Sequence, residues 1–352
     1  MRVVISSYDS IGNPYYNGGG ARSIHEVAKR VGGVRVITSR YPGSSDGYVD
    51  GVFYQHIGGG NAQLGQILFQ MELIRWVSKT DFDVWLESFT PPWSTAFLPL
   101  FTSKRVIGLV HMLGGDYFQS KYKLPFKLVE GWGLKTYGEF IVMTPGAEHK
   151  ILQYNARAKV NVVGNGVELQ KITKKTAKHV LYLGRIDILQ KGLDLLLNAF
   201  AMIPASLPLL IGGRGLKEEE KKLQRLILEL GLGDRVKWIG QVGETAKKAL
   251  FEEAAFVVCP SRFEAFNIVV LEAASFGLPA ASFDIDGLAW TGQNTGLKVK
   301  PFVVQEYKAA IERLLSDSVL RNTLGVEARK MAESFEWKKV SQKYKAILVN
   351  EK

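Results

Sequence analysis

Ala255-Phe-Val-Val-Cys259-Pro260-Ser-Arg-Phe-Glu264-Ala-Phe-Asn-Ile-Val-Val-Leu-Glu272 reads as a strand, a Pro-Ser turn and the opening of a helix near Asn267. Glu264 then falls in the loop and Glu272 on the helix. The same alternation runs outward in both directions. Downstream of residue 166 it gives strand Val180–Gly184, helix Gly192–Met202, strand Leu207–Gly212, helix Glu218–Leu230, strand Val236–Ile239, helix Glu244–Glu253, strand Phe256–Cys259 and helix Asn267–Phe276. Upstream it gives strand Val3–Ser6, helix Ser23–Val31, strand Val34–Thr38, helix Leu64–Lys79, and strands Val84–Glu87 and Arg105–His111. Short apolar runs alternating with amphipathic segments imply α/β architecture, with parallel sheets covered by helices. At 352 residues the chain is expected to form two domains, 1–166 and 167–335, joined through Asn165-Gly166 and the lysine-rich 171–178.

The chemistry gathers around the quoted loop. A helix start has unpaired amides and a positive dipole end, so Ala265, Phe266, Asn267 and Ile268 are expected to face an anionic or hydroxyl-rich ligand. At 1.5 Å of rise per residue, Glu272 lies about 7–8 Å from that first turn, about a diphosphate's length, where its carboxylate can take a ribose diol. Leu181-Tyr-Leu-Gly-Arg185 and Gln190-Lys191-Gly192 place two cations between a strand and a helix, where open α/β sheets bind phosphate. A departing nucleoside diphosphate needs positive charge at its oxygens, which Arg185 and Lys191 can supply.

With these residues in place, the chain resembles a retaining glycosyltransferase of family 4 along nearly its whole length. The resemblance runs through Gly18-Gly-Gly-Ala-Arg22, Asn165-Gly166-Val167, Gly184-Arg185, Lys191-Gly192, Ile211-Gly-Gly-Arg-Gly215, Pro260-Ser-Arg, Glu264, Glu272 and Phe335-Glu-Trp337. It implies the GT-B fold, two Rossmann-like domains facing each other across a cleft. Domain 1–166 would be on the acceptor side, with helix 336–352 crossing back onto it, and 167–335 would bind the nucleotide-sugar. By resemblance Gly19 and Gly20 face the distal phosphate and the acceptor, His111 contacts the transferred sugar, Glu264 with the following amides holds that sugar, and backbone around Gly240–Gly243 meets the nucleobase. The implied reaction is hexosyl transfer from a nucleoside-diphosphate sugar to an acceptor hydroxyl with retention at the anomeric carbon. No cofactor and no metal are expected, and the acceptor would be a glycan, a lipid-linked sugar or a protein. The chain departs from the family pattern in four places. The acid after His111 comes only at Asp116, Asn267 stands where glycine is common, Asp284-Ile-Asp286-Gly-Leu-Ala-Trp290 replaces the usual Gly-Gly-x-Pro-Glu turn, and Arg214 stands where an acid is common.

Other features bound the reading. Asp81-Phe-Asp83 and Asp284-Ile-Asp286 look like metal-binding Asp-x-Asp pairs and are read as decoys, because cations and a helix start already supply the counter-charge. Gly18-Gly-Gly-Ala-Arg-Ser lacks the glycine spacing of a dinucleotide fingerprint. The lone Cys259 sits in an apolar strand and is read as buried packing. No stretch reaches the roughly 20 apolar residues of a membrane span, and the first residues read as a strand, so a cytoplasmic location is expected. The net charge of +11 is shared between both halves. Its local focus, Lys121-Tyr-Lys-Leu-Pro-Phe-Lys127 followed by Leu128–Trp132, suits either a peripheral contact with the inner membrane surface or a helix packing aromatics on its own core. Two alternatives share these features: a GT-B nucleotide-sugar epimerase, and a DNA-modifying or nucleic-acid-binding protein. Neither explains the full motif order better, and no nucleic-acid partner is expected.

Overall fold

The computed structural model describes residues 1–14, 18–59, 64–172, 177–204 and 206–350, with the side chain of Lys121 also left aside. The loop residues 15–17 and the linker residues 173–176, both part of the sequence reading, lie outside the described residues. The chain divides into two compact units, 1–166 with 337–352, and 167–336.

The first unit runs β1 (Val3–Ser7), α1 (Gly19–Val31), β2 (Val34–Arg40), β3 (Gly47–Val49), β4 (Val52–Gly59), α2 (Gly65–Lys79), β5 (Val84–Phe89), β6 (Arg105–Val110), α3 (Gly115–Tyr122), α4 (Phe126–Thr136), β7 (Glu139–Val142), α5 (Pro145–Tyr154) and β8 (Lys159–Val162). Among the described residues its sheet has the order β3-β4-β2-β1-β5-β6-β7-β8, parallel except for the β3–β4 pair. β1 and β5 are buried throughout, as expected for strands covered on both faces. Helix α1 begins at Gly19, one turn earlier than the apolar pattern indicates, because Gly18–Gly20 offer no apolar side chain to mark the first turn.

The second unit runs β9 (His179–Leu183), α6 (Leu193–Ala201), β10 (Leu209–Gly212), α7 (Lys217–Glu229), β11 (Val236–Trp238), α8 (Glu244–Glu253), β12 (Ala254–Cys259), α9 (Ile268–Ser275), β13 (Ala280–Phe283), β14 (Gly296–Val299), α10 (Val304–Ser316) and α11 (Ser318–Ser334). Its sheet is wholly parallel, in the order β11-β10-β9-β12-β13-β14. Strand order reverses between β9 and β12, so the loops leaving their carboxyl ends diverge and open a crevice, the usual ligand position in a doubly wound sheet. Leu193, Leu196, Leu197 and Phe200 line one face of α6 and are fully buried, which seats the helix start beside that crevice.

Helix α12 (Trp337–Val349) belongs to the first unit and packs along α1. The Arg30 guanidinium lies 5.6 Å from the centre of the Trp337 ring, and a Cβ on Gly166 would come within 2.2 Å of that ring. Arg105 donates to the carbonyls of Ile347 and Leu348, each at 2.9 Å, answering the unpaired carbonyls of the helix end.

The two loops at the crevice are fastened together. Arg262 donates its amide to Gln190 O at 3.0 Å and forks onto Asp194 at 2.8 and 2.7 Å. Gly192 caps α6 with φ of 65°, and a Cβ there would stand 2.0 Å from Pro260 O. Gly192→Ala is therefore expected to cost roughly 2–4 kcal/mol through left-handed strain and backbone overlap. Urea denaturation checks this, and an unchanged midpoint would contradict the close approach.

Candidate active site

The crevice of the second unit collects most of the charged residues singled out in the sequence. Lys191, just before α6, reaches Glu264 in the loop after β12, with Nζ 2.7 Å from Oε1 and 2.9 Å from Oε2. The pair is largely buried, at 17% and 9% side-chain exposure. Ser261 Oγ donates to Glu264 Oε1 at 2.6 Å and Asn267 Nδ2 donates to it at 3.0 Å. The sequence reading gave Lys191 to a diphosphate and Glu264 to a sugar; the structure joins the two in one ion pair. Arg185 stands exposed beside them, donating to Gln190 Oε1 and lying 3.7 Å from Asp187 Oδ2. Its carbonyl accepts from the buried Tyr182 hydroxyl at 3.0 Å.

Asn267 is the N-cap of α9 rather than its first residue: its Oδ1 accepts from Val270 N at 3.0 Å. The amides of Ile268 and Val269 open the helix and have no preceding turn to bond. The Asn267 amide group also donates to Cys259 Sγ at 3.0 Å. Burial pushes the Cys259 thiol up to about 12, so it stays uncharged beneath the site. Ala265 and Phe266 lie in the segment clamped from behind. A Cβ on Gly287 would sit 2.3 Å from Glu264 O, and Phe266 stacks on Trp290 at 4.4 Å between ring centres. The unusual segment 284–292 thus packs directly on the loop that carries Glu264.

Glu272, on α9, is held by Lys247 of α8 at 2.7 Å, and Lys247 also reaches Glu244 at 3.3 Å. The sequence reading missed Lys247. It lies one turn into α8 with no motif around it, and only the packing of α8 near α9 makes it a neighbour.

In the first unit, His111 follows β6 at the carboxyl edge of the sheet. A Cβ on Gly20 would meet its ring at 3.6 Å, so the first turn of α1, which opens at Gly19, approaches the imidazole at Gly20. Among the described residues Nε2 of His111 is buried without a partner, and burial lowers the ring to about 4. A neutral imidazole beside the positive end of a helix keeps one nitrogen for a ligand hydroxyl.

Comparison with known proteins bears on the family and the fold. The family described as glycosyl transferases group 1 matches residues 165–331, and the family described as glycosyltransferase family 4 matches residues 17–171. The chain belongs to the glycosyltransferase family that these two models together span, and it has the GT-B fold. It is 28% identical over 206 residues to a D-inositol 3-phosphate glycosyltransferase of Jonesia denitrificans, covering 51% of this chain and 48% of that one. It is 30% identical over 186 residues to a GDP-mannose:cellobiosyl-diphosphopolyprenol alpha-mannosyltransferase of Xanthomonas oryzae, covering 49% and 48%. The chain thus spans about half the length of the curated relatives it matches. Among solved structures, sucrose-phosphate synthase from Thermosynechococcus elongatus superposes with a TM-score of 0.86 at 20% identity over 99% of this chain and 98% of that one. Anabaena HepE in complex with UDP and glucose gives 0.79 at 18% identity over 99% and 100%.

The first of the two Asp-x-Asp pairs has ordinary partners. Asp83 accepts from the Arg2 backbone at 2.6 Å and its guanidinium at 2.9 Å, and Lys104 reaches Asp81 at 3.2 Å. Asp284 acts on Lys298, whose ammonium donates to the carbonyls of Leu288 and Thr291 at 3.0 and 2.8 Å. Among the described residues no group of three or more His, Cys, Asp or Glu is placed to hold a metal ion. The sequence reading also missed buried Glu130, which accepts from the Gly114 and Gly115 amides at 2.9 and 3.1 Å and so fixes the loop after His111.

His111 gives a testable pH dependence. Its ring titrates near 6.5 when unfolded and at about 4 when folded, so the unfolded chain binds the extra proton first as pH falls. Stability that is full above pH 6.5 is lost between 6.5 and about 4, by at most roughly 3 kcal/mol from this residue. His111→Gln should flatten that part of the stability profile; equal acid sensitivity in both proteins would contradict it.

Proposed function

We propose that this glycosyltransferase moves a hexosyl group from a nucleoside-diphosphate sugar to an acceptor hydroxyl, with retention at the anomeric carbon and without a metal. The observation that carries the reading is the cluster of Lys191, Glu264, Ser261 and Asn267 at the point where β9 and β12 diverge, with Arg185 beside it and the α9 start facing it. Cations there stabilise the charge that develops as the anomeric C–O bond breaks and the diphosphate leaves. Lys191 Nζ gives two protons to Glu264 and has a third for a phosphate oxygen. The amides of Ala265 to Ile268 receive sugar hydroxyls or phosphate, and Glu272, oriented by Lys247, takes the ribose diol. The acceptor oxygen attacks from the leaving-group face and passes its proton to a donor phosphate oxygen, so no flanking pair of carboxylates is needed. Gly19 and Gly20 face the distal phosphate and the acceptor, and neutral His111 offers Nε2 to the transferred sugar.

The donor base is open between uridine, as in the HepE complex, and guanosine, as in the Xanthomonas relative, whose lipid-linked acceptor sets the class of acceptor proposed here. Calorimetry with uridine, guanosine and adenosine diphosphate sugars in the presence of a chelator should show binding of one of them, and the product anomer by nuclear magnetic resonance should match the donor. Lys191→Ala should abolish turnover. Because it leaves a buried carboxylate unpaired, Lys191→Ala with Glu264→Gln is the folded control. Turnover near wild type in either variant would sink the phosphate role, and donor conversion without acceptor would favour an epimerase.

A specific observation supports contact with an anionic lipid surface, on the cytoplasmic side of the inner membrane. On α4 and the turn before it, Leu124, Leu128 and Trp132 are exposed, Trp132 at 61%, while Phe126 of the same helix packs on the core. Lys123 and Lys135 flank them, while Lys127 pairs with Asp116 at 2.8 Å. Exposed aromatic and aliphatic groups between lysines suit the headgroup boundary. Among the described residues no helix is long and apolar enough to cross a membrane. The protein should sediment with phosphatidylglycerol vesicles and less with phosphatidylcholine. Leu128→Ser with Trp132→Ser should reduce this at least severalfold, and equal sedimentation of the variant would refute the contact.

A further inference from the structure

The cations so far assigned to the donor are compensated within the protein. Lys191 is matched by Glu264 at 2.7 Å, and Arg185 is offset by Asp187 at 3.7 Å. Arg262, the next cation, is held by Asp194. A dianionic diphosphate thus meets little net charge from these pairs.

Arg214 differs. It is exposed in the loop after β10, and among the described residues no hydrogen bond or ion pair reaches its guanidinium. The acids that follow it on α7 are turned elsewhere: Glu219 accepts from Ile188 N at 2.8 Å and Glu220 from Gly215 N at 3.0 Å.

Its position is set by register. β9 and β10 pair in parallel from Val180↔Leu209 to Leu183↔Gly212. The isolated bridge Ile186↔Gly215 keeps the same offset, and the ladder continues through Gly184 N to Gly212 O at 3.0 Å and Ile186 N to Arg214 O at 2.8 Å. Arg185 and Arg214 are therefore opposite each other, their backbones about one strand spacing, 4.8 Å, apart. Glycines enforce the approach: a Cβ on Gly213 would lie 1.7 Å from Gly184 O, and one on Gly215 would lie 2.1 Å from Ile186 O. Like charges directly opposite repel, and both side chains stand at the carboxyl edge of the sheet, next to the divergence of β9 and β12.

We propose that Arg214 and Arg185 form a two-arginine seat for the donor's diphosphate, in which Arg214 supplies the uncompensated positive charge. The proposal rests on the donor reading above and deepens it. Two guanidiniums side by side offer forked donors to adjacent phosphate groups, and a bound diphosphate removes their mutual repulsion. A nucleoside monophosphate satisfies only one of them, so the pair selects for the diphosphate.

The test is calorimetry of the whole chain with uridine, guanosine and adenosine diphosphates and the matching monophosphates, using wild type, Arg214→Ala, Arg214→Lys, Arg214→Glu and Lys191→Ala. Arg214→Ala should weaken the diphosphate by roughly tenfold or more and the monophosphate by less than about threefold; Arg214→Glu should weaken it further, and Arg214→Lys should keep part of the affinity. Since Arg214 is exposed, the thermal midpoints should stay at wild type. Diphosphate binding within about twofold of wild type in Arg214→Ala, while Lys191→Ala loses it, would overturn the arginine seat and leave the donor reading standing. If wild type binds none of these nucleotides, the donor reading and the seat both fall.

Discussion

The Lys191–Glu264 ion pair is the interaction on which the second unit's crevice depends. β9 and β12 are neighbours whose connections leave in opposite directions, so nothing in the sheet itself holds their two loops together. A nearly buried ammonium and carboxylate, bonded at 2.7 and 2.9 Å and supported by Ser261 and Asn267, tie them at that point. Removing one partner would leave the other charge largely buried without its counter-ion. The close approach of Gly192 to Pro260 O and the fork of Arg262 on Asp194 belong to the same closure.

That closure shapes the electrostatics. A site built of matched pairs is stable when empty because its charges are already answered. On the reading proposed above, a diphosphate there would draw on further positive character from the α9 start and the exposed Arg214. The first unit works differently. At the carboxyl edge of its sheet a neutral imidazole lies against a helix start, with no paired charges like those of the crevice among the contacts described for it.

Much of the second unit was legible in the chain itself. Each strand and helix named between Val180 and Phe276 appears, with ends displaced by at most a few residues, because apolar periodicity and glycine punctuation are local signals. The hairpin of β3 with β4 was not read, since Gly47–Val49 is only three residues and mostly exposed. The start of α1 at Gly19 escaped for a related reason, as glycines carry no apolar mark. Among site residues, Lys191 and Glu264 were both found, but their pairing joins positions 73 residues apart in sequence. Lys247 and Asp187 were not found, because each matters only through what packs beside it.

The sequence by itself determined which residues are chemically able: two glutamates around a helix start, two cations after a strand, a histidine at a strand end, and an alternating pattern that admits only a layered α/β fold. The tertiary structure decided which of those charges are already neutralised. It set Lys191 on Glu264, Glu272 on Lys247 and Arg185 opposite Arg214, and it left Arg214 without a counter-ion among the described residues. The physical reason is range. Secondary structure follows from side chains a few positions apart, whereas the charge of a site is the sum over groups within a few ångströms in space, and strand order and register alone bring those groups together.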